Sequence, residues 1–496
     1  MNRLNKQFVL SNADLSKHIS IGSLLDYPEK AIQFGEGNFL RAFVDWKINA
    51  LNKNNLFGGK VVIVQPLKVG MTDELNRQDC LYTLIMRGME GGKAVAKKEI
   101  ITSVSRGIDP YANWEEFLAL AENPELRFMF SNTTEAGIAY KETPLPELSC
   151  PDSFPAKVTA FLYKRFKHFQ GDPAKGMVII PCELIEKNGA ELKSCILKHA
   201  KDWHLEVPFT KWINEHNSFF NTLVDRIVPG HPKDEMADIT KELGYEDNML
   251  VTSELFDLWA LEGDAKHKEE LPFHKAGLNV IWTDNQKPYR TLKVLILNGS
   301  HTILTIPALL AGKTTVKEIM EDPAFEKLIR RAMTQEVLPG MDFGEKEKTD
   351  YFEAVMERFR NPFIKHYLES IKLNSFSKFK VRVLPSLLKY YEMHKACPPI
   401  LSLSYAALLY YYWQSLGKKN ASYTIKEDDN VVSILNDVIS KSNGDINTYA
   451  ASVMRNTELW GLDLAALAGF EELTMKNLAA LAEKGSAKAI ENILAK

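Results

Sequence analysis

Apolar residues fall in two different rhythms along this chain. Up to about residue 285, short continuous apolar runs alternate with longer stretches of helical period. The runs are "AIQF" (Ala31 to Phe34), "KVVIVQP" (Lys60 to Pro66), "LRFMFS" from Leu126, "GMVIIP" from Gly176 and "LNVIWT" from Leu278. Such runs predict strands buried on both faces, as in a parallel sheet. Between them, "YANWEEFLALAEN" and "FPAKVTAFLYKRFKHF" predict helices. Strand alternating with helix means an α/β domain with a mostly parallel sheet. The proline-rich "TPLPELSCPDSFP" (Thr143 to Pro155) reads as a surface connection within it.

Beyond that point strand-like runs become rare. "DPAFEKLIRRAMTQEVL", "YFEAVMERFRN", "LSYAALLYYYWQSL" and "DLAALAGFEELTMKNLAALAEKG" all carry helical periodicity. We therefore expect an α/β domain over residues 1–285 and a mostly α-helical domain over 286–496. A chain of 496 residues has ample length for two or three such cores.

Composition narrows the partners. Hydrophobic content of 45% and charged content of 25% are ordinary for a globular protein. The formal net charge is −3 and no segment concentrates lysine and arginine, which argues against nucleic acid as a partner. The opening "MNRLNKQFVLSNADLSKHIS" lacks a signal-peptide core, and no uninterrupted apolar run reaches about 18 residues, so no membrane partner is expected. Cys80, Cys150, Cys182, Cys195 and Cys397 are scattered and never form C-x-x-C. They read as free thiols of a reducing cytoplasm, not as a disulfide frame or a zinc site. The histidines show no metal-ligand spacing, so no metal is expected.

Two stretches carry candidate chemistry. "FGEGNFLRA" follows the first strand and opens the first helix. Gly35 would allow a tight turn and Gly37 would let the backbone approach a pyrophosphate. The N–H groups of Asn38 and Phe39, opening the helix, would hold the anion. Leu40 stands where a third glycine would complete the dinucleotide pattern, and a plain strand–turn–helix corner would look the same. Gln65, not an acid, ends the second strand, so the ribose rule does not decide NAD against NADP.

The second stretch is "KVLILNGSHT", Lys293 to Thr302, which sets three polar groups in an apolar run. On an α-helix Asn298 lies about 140° from Lys293 with His301 between them, so one arc carries all three. A helix-start lysine, a capping asparagine and a satisfied core histidine would be the bland reading. Asn298-Gly299 could also interrupt the helix. The functional reading joins the three. A lysine taken out of water becomes a proton donor or acceptor near neutrality. Amide and imidazole N–H groups steady developing alkoxide charge. That set suits reversible hydride transfer to a ketone.

With these motifs in hand, the chain resembles the mannitol dehydrogenase family of long-chain polyol and sugar-acid oxidoreductases. The resemblance spans nearly the whole chain. It rests on "FGEGNFLRA", "SNTTEAG" (Ser131 to Gly137), "PCELIEKNG" (Pro181 to Gly189), "VDRIVP" (Val224 to Pro229), "KVLILNGSH" and "RFRNPFI" (Arg358 to Ile364). It implies an N-terminal Rossmann-type α/β domain, a helical C-terminal domain and a site in the cleft between them. It implies NAD(H) as cofactor, no metal, and a small-molecule sugar acid or polyol as substrate. Lys293 would be the general acid/base, with Asn298 and His301 polarising the reacting oxygen. Thr134 and Glu135 would join Gly35, Gly37, Asn38 and Phe39 at the cofactor. Asp225 and Lys378 would lie at the substrate. Three positions depart from the polyol members: Arg290 replaces a glutamate, Leu184 an asparagine and Ser370 an arginine. These departures point away from mannitol. A sugar acid brings a carboxylate that needs a cation, for which Arg290 and Lys378 are candidates. A sister activity on an epimeric keto acid or polyol, and a nucleotide-binding regulator without turnover, are the rival readings.

Overall fold

The computed structural model describes residues 2–133, 136–146 and 148–495. The chain divides into two compact units, Met1–Gly88 with Val95–Gln286, and Lys287–Lys496 with Met89–Ala94.

The first unit is built on six parallel strands: β1 Glu29–Phe34, β2 Lys60–Val64, β3 Val104–Ile108, β4 Phe128–Ser131, β5 Val178–Pro181 and β6 Ser218–Phe219. Their order across the sheet is β6-β5-β4-β1-β2-β3. That is the Rossmann order, with the strand sequence reversing beside β1, where ligands bind in open α/β sheets. The apolar runs are continuous because each strand feeds two cores. Ala31, Val61, Ile63, Phe128 and Phe130 pack on one face with Phe43, Ile48 and Leu51 of the helix that follows β1. Ile32, Phe34, Val62, Val64 and Met129 pack on the other with Phe161, Leu162, Leu192 and Ile196. The last two pairs belong to helices Phe154–His168 and Asn188–Asp202.

Three further sheets among the described residues, of two, three and four strands, depart from the expectation of a single sheet. One has four strands in the order Val251–Glu254, Tyr82–Glu90, Lys93–Ile101 and Ser20–Ile21. Gly91 and Gly92, at φ +59° and +77°, close the tight turn inside it. "LNVIWT" gives a strand, Val280–Thr283, but in a separate three-stranded sheet beside Leu258–Glu262, not in the parallel one.

The second unit is helical. Helix α1, Lys287–Leu310, is long and apolar enough to cross a membrane by length and composition, yet 72% of its most apolar window is buried, as in a core helix. It does not break at Asn298-Gly299. It runs as an α segment, a π turn over Lys293–Asn298, and a second α segment over Gly299–Leu310. Pro307 lies inside it and has no N–H for the Ile303 carbonyl. The Ser404 hydroxyl takes up that orphan at 3.1 Å, from helix α2, Pro399–Tyr412. Helix α3, Phe470–Leu494, packs against α2 and breaks at Gly485.

Candidate active site

In the first unit, the turn after β1 is held open by its neighbours. Gly35 sits at φ +122°, a conformation only glycine adopts without strain, and a Cβ there would stand 3.1 Å from the Asn132 carbonyl. Its N–H donates to Val64 O at 3.0 Å, and the buried Gln33 side chain donates to its carbonyl at 3.0 Å. Gly37 is different. Its φ is −65°, which any residue adopts, and a Cβ there would meet nothing within 4 Å. The fold itself does not demand glycine at 37. What its absence of a side chain preserves is bare space over the start of the helix at residues 38–53, where Asn38 and Phe39 present first-turn N–H groups. An arriving pyrophosphate needs that combination of bare backbone and helix N-terminus.

Two acids that the sequence reading did not single out shape this turn. Glu36 is buried, its carboxyl is raised by desolvation, and it accepts the Met71 N–H at 3.3 Å. It thereby ties the turn to the loop after β2. The Gln65 side chain, at the end of β2, is occupied within that loop by Leu67 O and the Thr72 hydroxyl. Glu183, from "PCEL", accepts from Ser131 Oγ and Thr133 N at 3.0 Å each and pins the loop after β4. Burial raises its pKa as well. Thr134 and Glu135 lie outside the described residues. Asp225 is buried at the end of strand Asn221–Asp225 of this unit.

In the second unit, α1 carries Lys293, Asn298 and His301 together. The π turn changes the expected geometry. Gly299 N–H donates to Val294 O, five residues back, in place of the α partner four back. An i→i+5 turn carries position i+5 over position i, so Asn298 moves toward the Lys293 side of the helix and the arc becomes narrower than an α-helix would give. Lys293 and Asn298 are half-buried and His301 is buried. The His301 ring lies against Phe359, with centroids 4.3 Å apart, and meets the His366 ring edge-on at 4.8 Å. Desolvation drives the His301 pKa well below its ordinary value, and the charges of His366, Arg358, Arg382 and Lys378 push it the same way. The ring is therefore neutral near pH 7, with one N–H to donate and one lone pair to accept.

Lys378 stands on α4, the helix Ser375–Arg382, which packs against the π turn and the segment after it. Its ammonium donates to Ile371 O at 2.6 Å. Arg290 is half-exposed on the first segment of α1, ahead of Lys293. Arg358, His366 and Arg382 were not singled out from sequence. Arg382 follows Lys378 by four positions, one helical turn, and that spacing was the available signal.

Comparison with known proteins agrees with this organisation. Residues 29–275 match the mannitol dehydrogenase Rossmann domain, and residues 285–482 match the mannitol dehydrogenase C-terminal domain. The altronate oxidoreductase of Bacillus subtilis (strain 168) is 44% identical over 465 residues, 94% of this chain and 95% of that protein. That of Escherichia coli O7:K1 is 42% identical over 469 residues, 94% and 96% of the two chains. Among solved structures, Pseudomonas fluorescens mannitol 2-dehydrogenase, in a ternary complex with NAD and D-mannitol, is 22% identical over the full length of both chains, with a TM-score of 0.67. A substrate-free D-sorbitol dehydrogenase is 20% identical over 98% of this chain and 100% of its own, with a TM-score of 0.80. These two share the fold. The Rossmann order of the sheet and both matched domains lead to one conclusion: the chain belongs to the mannitol dehydrogenase family and is an oxidoreductase acting on CH–OH groups.

Proposed function

We propose that the protein is an NAD(H)-dependent reductase of the keto sugar acid D-tagaturonate, forming D-altronate reversibly. The observation that carries this reading is the 41–44% identity to altronate oxidoreductases over 94% of the chain. The bare turn at Gly37 and the helix start at Asn38 fit a dinucleotide pyrophosphate. When bound, NADH supplies the hydride for the keto carbon.

The residues of the chain handle the oxygen and the proton. Asn298 and the neutral His301 donate hydrogen bonds to the keto oxygen and stabilise the alkoxide charge that develops there. Lys293 delivers the proton to that oxygen in reduction and withdraws it in oxidation. His301 suits a donor role because burial first, and its cationic surroundings second, keep it neutral, so it stays a hydrogen-bonding group rather than a competing acid.

The test is a panel of D-tagaturonate, D-fructuronate and D-mannitol assayed with both nicotinamide cofactors by NAD(P)H absorbance. The expected result is fastest turnover of D-tagaturonate with NADH. A preference for fructuronate or mannitol would replace the substrate, and a preference for NADPH would replace the cofactor. NADH binding without turnover of any of them would make the protein a nucleotide-binding regulator.

A further inference from the structure

The four strongest charges acting on His301 come from His366, Arg358, Arg382 and Lys378, and no acid is among them. Three of the four are cations, while burial and Arg358 push His366 itself toward neutrality, and cations held together around a buried ring need a reason because they cost stability. Lys378 has a protein duty, its ammonium held by Ile371 O. His366 packs edge-on against His301. Arg358 is buried and has its own partners within the protein. Arg382 stands apart. It is half-buried, burial alone perturbs its guanidinium, and among the described residues no carboxylate or carbonyl receives it.

The position of Arg382 is nonetheless set firmly. Its backbone carbonyl would lie 3.2 Å from a Cβ on Gly299, the residue between Asn298 and the turn that carries His301. Glycine at 299 is what allows α4 to approach α1 so closely. The other end of α4 is anchored by buried Glu427, which accepts from Phe376 N at 2.9 Å and Ser377 Oγ at 3.3 Å. The helix thus keeps a planar fork of donors within electrostatic reach of His301, partly withdrawn from water, and among the described residues no acid meets it. That fork matches a carboxylate in two parallel N–H···O bonds.

We propose that Arg382 receives the carboxylate of the substrate and is the residue that selects a sugar acid over a neutral ketose. This rests on the reading of the protein as a keto sugar-acid reductase. It moves the carboxylate partner away from Arg290 and Lys378, the two candidates drawn from sequence.

The experiment compares the wild type, Arg382→Met and Arg382→Lys on D-tagaturonate and on neutral D-tagatose, at saturating NADH. Arg382→Met is expected to raise the KM for tagaturonate by about 10–100-fold with a smaller change in kcat. The same variant should leave kcat/KM on tagatose unchanged or raised. Arg382→Lys should recover part of the tagaturonate KM, since an ammonium keeps the charge but not the fork. A tagaturonate KM within about threefold of wild type in Arg382→Met overturns this proposal alone. Equal losses on both substrates also overturn it, because damage to the site as a whole would not single out the anion. Absence of wild-type turnover on any keto sugar acid overturns the parent reading and this one with it.

Discussion

Buried charge is arranged in opposite ways in the two units. In the first, Arg41, Asp45 and Lys47 follow the glycine turn on one helix and all are buried. Their signs alternate, and each cation has an acid beside it, although Arg226 also acts on Lys47. Arg41 donates to Glu36 O at 3.0 Å and Asn38 Oδ1 at 2.9 Å, lies over the Tyr82 ring, and feels Asp247, Asp45 and Glu36. Lys47 pairs with Asp257 and sits 4.7 Å from the Phe43 ring centre. In the second unit, the cations Arg358, Arg382 and Lys378 act together on His301, and of these buried Glu427 offsets Lys378. Both helices carry a π turn, at Arg41–Asp45 and at Lys293–Asn298, so the local backbone device is the same. The difference lies in the balance. Interleaved charges satisfy one another beside the glycine turn, whereas an unbalanced set leaves a field for an anion arriving from outside.

The largest effect is expected at Lys293, the acid/base of the proposed reaction. Lys293→Ala should lower kcat by about 10²–10⁴-fold, the usual worth of a positioned acid. NADH affinity, followed by nucleotide fluorescence, should hold. Retained turnover would show that the polar trio of α1 is structural, like the charges of the first unit. A collapse of NADH binding would show the two units to be less separable than this contrast assumes.

A smaller, paired effect is expected at the turn. Gly37→Val meets nothing within 4 Å at its Cβ and needs no unusual φ, so Tm should stay near wild type. NADH affinity should fall by about tenfold or more, because the new side chain fills the space over the helix start. Gly35→Ala should behave the other way round. At φ +122° and 3.1 Å from Asn132 O it should lose about 1–3 kcal/mol of stability, read as a lowered Tm. If Gly37→Val binds NADH as wild type does, the bare turn is only a corner of the fold.

Much of the scaffold was legible before any coordinates, and the reasons are physical. Val61 to Val64 had to be a doubly buried strand because successive side chains go to two cores. Lys93–Ile101 escaped notice because its first half is largely exposed and reads as polar. The π turn was not foreseen, although Lys293 and Asn298 are five residues apart, a spacing that suits an i→i+5 turn better than an α one. Arg382 was invisible for a different reason. Its meaning lies in the missing counter-charge, and sequence spacing cannot report which acids fail to reach a side chain. Glu36 and Glu183 were likewise residues of quoted motifs whose work, pinning loops across the sheet, appears only once β1, β2, β4 and β5 are laid side by side.

The smallest effect tests the balanced side of the comparison. Asp45 accepts from Gln33 Nε2 and the Tyr82 hydroxyl on one oxygen, while its other oxygen and Gln33 Oε1 are buried without a partner. Burial raises its pKa from 3.8 to about 7, against the lowering pull of Gln33, Tyr82 and Arg41. Between those two values the folded protein holds a proton that the unfolded chain has released. The folded state therefore binds more protons, and stability falls as pH rises through this window and levels off above it. Asp45→Asn removes the titration. Relative to the variant, the wild type should lose stability from pH 5 to pH 8, on the order of 1 kcal/mol per unit within the window, or about 2–4 °C of Tm for each kcal/mol. Thermal unfolding of the two proteins at pH 5, 6, 7 and 8 measures it. Parallel Tm curves would mean that Arg41 holds Asp45 ionised throughout, and that the first unit balances its charges more completely than the orphaned oxygen suggests.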